Sequence, residues 1–292
     1  MLILLLDAKQ VPITNITQGN LHQAVEICRQ QLAKEALRQI LATGTLMAVW
    51  GDVLREWNQL EAAEERIRQG HERCQHSRGI AMQGWSDLAM IKLHVSRGDD
   101  EALENAIKGL ENLVYQSETP AWLQIALTTQ KIRARLNRQN LTGAIRLLDE
   151  YNLNMPEEPS FLRLDLFISA SRVDLARYAL RDDRAALASA IDLLQRLQRQ
   201  TEQKGWFQQH LQVLILLALA YHHQHEDENA LIALNRALVL AETQGYVRMF
   251  LDEGIPMLEL LGQAQNRKDI SRYAAKLCAE AGTNTLPDEA VA

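Results

Sequence analysis

At 292 residues and 33.1 kDa the chain is long enough for one large domain or two ordinary ones, and 47% hydrophobic with 23% charged residues suffices for a buried core rather than a disordered tail. Only 6 prolines, 14 glycines and 5% aromatics, beside abundant Leu, Ala, Gln and Arg, favour helix over a sandwich or barrel. A net charge of −6 excludes a broadly basic nucleic-acid binder, and three widely spaced cysteines, Cys28, Cys74 and Cys278, form no disulfide framework and suit a reducing cytoplasm.

Along the chain, residues 1–6 are apolar but end at Asp7 with no basic residue before them, so they do not read as a signal peptide. About eighteen residues precede Gly19 and Pro12 interrupts them, so the first helix is expected to be truncated. Its apolar, uncapped start predicts that something precedes residue 1. Short polar turns, each followed by an alanine-bearing helix, then recur at Gly19-Asn20, Asn58-Gln59, Asp99-Asp100, Gln139-Asn140, Asp182-Asp183 and Glu226-Asp227. Counted at residues 20, 59, 99, 140, 183 and 227, the gaps are 39, 40, 41, 43 and 44, the spacing of stacked helical hairpins.

Each unit reads as a helix A, a tight turn and a helix B. Leu60, Ala63, Ile67, Gly70 and Cys74 make one apolar stripe on a B helix, and the small Ala63 and Gly70 admit a close neighbour. Ile80, Gly84, Leu88, Ile91 and Val95 make the matching stripe on the next A helix. The fourth B helix is expected to be short, stopped by Asn154-Met155-Pro156, and residues 157–160 mark a bend. The apolar run 213–221 is too short for a bilayer, which takes about 20 residues, and reads as a buried helix. The expected fold is all-α: a right-handed, TPR-like superhelical solenoid of about six to seven hairpins. Residues 1–244 form the array, 245–282 its capping helices, and 283–292 a tail.

Three passages resemble the tetratricopeptide-like region of MalT-type, ATP-dependent LuxR-family regulators. The first is Trp50-Gly51-Asp52-Val53-Leu54-Arg55-Glu56-Trp57-Asn58-Gln59-Leu60-Glu61-Ala62-Ala63. The second is Pro120-Ala121-Trp122 with Arg133-Ala134-Arg135-Leu136. The third is Gly245-Tyr246-Val247-Arg248-Met249-Phe250-Leu251-Asp252-Glu253-Gly254, then Pro256-Met257 and Leu260-Leu261. The resemblance covers residues 45–282 and implies a segment that senses a small-molecule inducer between a nucleotide-binding domain and a DNA-reading head. No glycine is followed by lysine, so the chain has no phosphate loop, and ten residues after Gly282 are too few for a reading head. ATP hydrolysis and direct nucleic-acid contact are therefore not expected of this segment.

Candidate residues follow from the array geometry. Concave walls of such arrays are made by A helices, and Ala126, Gln130, Arg133 and Asn137, with Trp122 a turn earlier, present donors, acceptors and an aromatic face. Trp122, Gln130, Arg133 and Asn137 are the expected ligand-binding residues. Lys131, Arg135 and Arg138 fall on another face, which as a plain helix surface would simply be solvated. Arg248, Phe250, Asp252, Glu253 and Gly254 are expected to form a capping or interface signature, Gly254 stopping one helix and Pro256 starting the next. His222, His223 and His225 before Glu226 sit at a turn, where solvation is the plainer reading than metal binding. Trp50, Trp57, Trp85 and Trp206 read as packing residues. No nucleophile–base motif is present, so neither enzyme chemistry, a cofactor nor a metal is expected. The expectation is a cytoplasmic sensor and assembly segment whose partner is a small-molecule inducer or another protein, with self-association and no membrane contact. The alternative is a scaffold holding a peptide or partner helix in the same groove.

Overall fold

Each repeat turn has the same backbone solution. In the computed structural model, which describes residues 15–16, 18–33, 42–75, 79–116, 118–155, 157–268, 270 and 272–283, a left-handed residue closes each turn: Gly19, Asn58, Gly98, Gln139, Asp182 and His225. Five of the turns share a hydrogen bond from the following amide to a carbonyl five residues back, as in Gln59 N to Leu54 O and Asn140 N to Arg135 O. At three turns the following residue, Asp or Asn, caps the next helix. Asp99, Asn140 and Asp183 accept from the amides of Ala102, Gly143 and Ala186 at 2.9–3.0 Å.

The turns link five A/B pairs, preceded by α1 (Leu21–Ala33). The pairs are α2 (Ala42–Glu56) with α3 (Leu60–Gln75), α4 (Ile80–Arg97) with α5 (Asp100–Gln116), and α6 (Ala121–Asn137) with α7 (Leu141–Asp149). They continue as α8 (Leu164–Arg181) with α9 (Arg184–Lys204) and α10 (Phe207–His223) with α11 (Asp227–Glu242). The short α12 (Arg248–Leu251) leads to α13 (Ile255–Ala264) and α14 (Tyr273–Thr283), which pack on each other and on α10 and α11. The described residues form an all-helical, TPR-like solenoid with no strand among them. Residues 1–6, Pro12, Pro156 and the tail beyond 283 lie outside them.

Packing follows the apolar stripes. The residues α3 buries are Leu60, Ala63, Ile67, Gly70 and Cys74. A Cβ on Gly70 would lie 2.6 Å from the Gly44 carbonyl oxygen, and one on Gly51 would lie 2.5 Å from Ile67, so glycine brings α2 and α3 into backbone contact. The run 213–220 is buried throughout in α10. No described helix is long and apolar enough to cross a membrane.

Two features differ from the sequence expectation. Helix α7 ends at Asp149, five residues before the Asn154-Met155-Pro156 stop, because the chain turns at Glu150-Tyr151 and Asn152 takes φ of 44°. Trp57 packs on the core of the first hairpins and also on the core of the last units. Its Nε1 donates to the Gln244 carbonyl at 2.8 Å, and the His22 ring lies 4.9 Å away, so it ties the first hairpins to the last. The core follows suit: Leu21, Val25 and Val53 join one cluster with α8 to α14, while smaller clusters serve the intervening units.

Candidate functional site

Four of the A helices each bring a polar side chain to one place: Arg55 on α2, Ser96 on α4, Arg133 on α6 and Arg172 on α8. All four converge on the 248–254 block. Arg55 donates to Asp52 at 2.9 Å, Glu56 at 3.0 Å and Ser96 Oγ at 3.3 Å, and lies 3.5 Å from Asp252. Ser96 Oγ donates to Asp252 Oδ2 at 2.9 Å. Arg133 Nη2 donates to the Asp252 carbonyl at 2.9 Å and to Glu253 at 3.3 Å. Arg172 grips both Glu253 oxygens.

The block is equally committed from its own side. Arg248 donates to Asp252 at 2.8 Å, to Asn58 Oδ1 at 3.2 Å and to the Ser96 carbonyl. The amides of Val247 and Met249 donate to the backbone and side-chain oxygens of Glu56, at 3.1 and 2.8 Å. Phe250 is fully buried, and the Asp252 and Glu253 side chains are 6% and 7% exposed. Gly254 has φ of 76° and ψ of −155°, a region open essentially to glycine, and Pro256 opens α13. The inner wall thus holds a segment of its own chain, whose signature side chains all point inward.

Burial and ion pairing pull the carboxyls in different directions. For Asp52, burial opposes ionisation, but Lys92 at 2.8 Å and Arg55 outweigh it and hold the carboxyl at about 2. For Glu253, burial is likewise outweighed by Arg172 and Arg133, which keep it below the usual carboxylate range. Burial wins at Glu56 and Asp165, whose carboxyls are pushed up. Arg133 is held below the ordinary guanidinium range by its own burial, against the pull of Glu253.

The four residues expected to bind ligand are not gathered in one pocket. Trp122 stacks on Trp85, with ring centroids 5.0 Å apart, and packs into the core of α4 to α6. Arg133 is engaged with the block, Gln130 is half-buried, and Asn137 is exposed at the helix end. From Trp122 to Asn137 the helix rises about 22 Å, longer than a monomeric inducer. Gln130, Arg133 and Asn137 fall within about 10 Å of one another. On the other face, Lys131 pairs with Glu111 at 2.6 Å and Arg138 with Glu104 of α5, so this basic face is paired rather than merely solvated.

Arg55, Ser96 and Arg172 were missed from the sequence. With Arg133 they are spaced 41, 37 and 39 residues apart, but they lie 4, 3, 7 and 11 residues before the repeat positions 59, 99, 140 and 183, so no fixed place in the repeat singles them out.

A cavity of about 350 Å³ between α3 and α5 is lined by His71, Ser86, Asp87 and Gly109 among others. Ser86 and Asp87 both address His71 Nδ1, at 3.5 and 3.0 Å, so the ring cannot relay a proton from hydroxyl to carboxylate. Among the described residues no three His, Cys, Asp or Glu side chains converge as a metal site.

Comparison with curated proteins returns no match. Residues 3–267, most of the chain, match the MalT-like TPR region, and the chain belongs to that family.

Proposed function

We propose that this chain is the signal-sensing and assembly segment of a MalT-like, LuxR-family transcription regulator, acting in the cytoplasm without catalysis. A small-molecule inducer meets the inner wall at Gln130, Arg133 and Asn137, and its binding alters how the last helices pack against neighbouring subunits or domains. One observation carries the reading: Arg133 and Arg172, from adjacent hairpins, share the single carboxylate of Glu253. A ligand that shifts α6 against α8 therefore also shifts Glu253, and with it the start of α13 two residues later. Differential contact with two arrangements is what a ligand needs to move an equilibrium.

The rival reading, a scaffold for a partner helix, is less favoured because 246–254 already lies along the wall that such a helix would occupy. Calorimetry against a metabolite panel, paired with light scattering, tests the proposal. At least one compound should release heat and change the assembly mass; a panel that does neither would leave the sensing reading without support.

A further inference from the structure

The charge balance around the 248–254 block is uneven at Glu253. Around Arg55, the cations Arg55, Lys92 and Arg248 meet the anions Asp52, Glu56 and Asp252, and Lys92 also acts on the buried Asp165. At Glu253 a single carboxylate serves two guanidinium groups. Arg172 takes it as a fork, through Nη1 and Nη2, on both oxygens. Arg133 reaches only one oxygen, at 3.3 Å, and uses the same Nη2 for the Asp252 carbonyl. Its Nε and Nη1 make no hydrogen bond among the described residues. The Asp252 carboxylate also attracts Arg133, more weakly than Glu253 does, and its oxygens are engaged by Arg248, Ser96 and Arg55.

Arg133 therefore carries a positive charge that the fold desolvates and only partly compensates. Its side chain remains 21% exposed, so a group arriving from solvent can reach it. Every two-donor edge of the guanidinium includes the Nη2 already in use, so Nε and Nη1 each offer a carboxylate or phosphate oxygen a single charge-assisted bond. Gln130 and Asn137, about one helical turn to either side, supply amide donors beside it.

We propose that Arg133, backed by Arg172 and Glu253, is an incomplete anion site on the inner wall, and that the inducer binds it through a carboxylate or phosphate group. This rests on the sensing reading above and names the chemistry of its ligand. A neutral ligand would leave the imbalance in place; an anionic one removes it.

The test uses the full chain, with inorganic phosphate and citrate as the two probes and glycerol as the uncharged control. Arginine Nε–H signals are followed by NMR, that of Arg133 being assigned by its loss in Arg133→Gln. The expected result is a saturable shift of that signal with phosphate, citrate or both and none with glycerol, the preferred probe telling phosphate from carboxylate recognition. Calorimetric binding should disappear in Arg133→Gln and weaken about tenfold in Arg133→Lys, which keeps the charge but loses the fixed, planar set of N–H donors. If Arg133→Gln fails to fold, the Lys variant decides, and unchanged affinity there overturns the site. A non-saturating shift, or equal binding by wild type and Arg133→Gln, also overturns it. Anion binding at Arg133 without a change in assembly mass would keep the site and remove the sensing reading. A neutral metabolite that binds and changes assembly while both anions fail would do the reverse.

Discussion

At the scale of single residues, the energetics are dominated by charges that are buried and therefore intolerant of losing a partner. Arg248 contacts Asp252, Asn58 and the Ser96 carbonyl, joining three segments of chain. Arg248→Met leaves those acceptors short of donors in a dry interior, and the expected loss is about 3 kcal/mol in urea unfolding. Asp52 gives a prediction with a pH sign. Its carboxyl lies at about 2 in the folded chain against an ordinary 3.8. It therefore stabilises the fold above its unfolded value, and that contribution is lost as pH falls from about 4 to 2. By linkage it amounts to about 2 kcal/mol. The stability gap between wild type and Asp52→Asn should be full at pH 6 and close by pH 2. A gap independent of pH would mean that Lys92 and Arg55 do not set this carboxyl.

At the scale of helices, glycines separate into those the packing requires and those it does not. Gly70 sits where a Cβ would strike the backbone of α2, whereas Gly109, in the middle of α5, has nothing within 4 Å of its Cβ position. Gly70→Ala is expected to destabilise by about 1–3 kcal/mol, since two backbones must separate. Gly109→Ala is expected to stabilise by about 1 kcal/mol through helix propensity alone. Thermal melts of the two variants against wild type check the opposite signs. The same contrast shows what was legible at this scale. The stripe Leu60, Ala63, Ile67, Gly70 and Cys74 could be read because a helix of 3.6 residues per turn writes its buried face into the sequence. The end of α7 could not, because Asn152 in a left-handed conformation looks like any other polar residue near a proline.

At the scale of the whole molecule, the array does not remain an open row of neighbours. Hydrogen bonds from Trp57 to Gln244, Asn58 to Glu280 and Val247 to Glu56 span some 190 to 220 residues of sequence and close it on itself. Stability in an open solenoid is shared only between adjacent units. Closure adds a coupling between distant ones. Arg248→Met should therefore raise hydrogen exchange in α2 as well as in α12, while α5, which does not touch the block, keeps its protection. Mass-spectrometric exchange confined to residues 245–254 would show that the block is held only locally.

The sequence by itself determined the hairpin repeat, its turns, its apolar stripes and the family. All of these are local or periodic, and each repeat restates them. Only the tertiary structure decided what occupies the inner wall. That Arg55, Ser96, Arg133 and Arg172 meet one acidic pair, and that Trp57 reaches across to Gln244, depends on how far each unit rotates against the last. That rotation is a sum of small packing offsets over five hairpins, and no single residue encodes it.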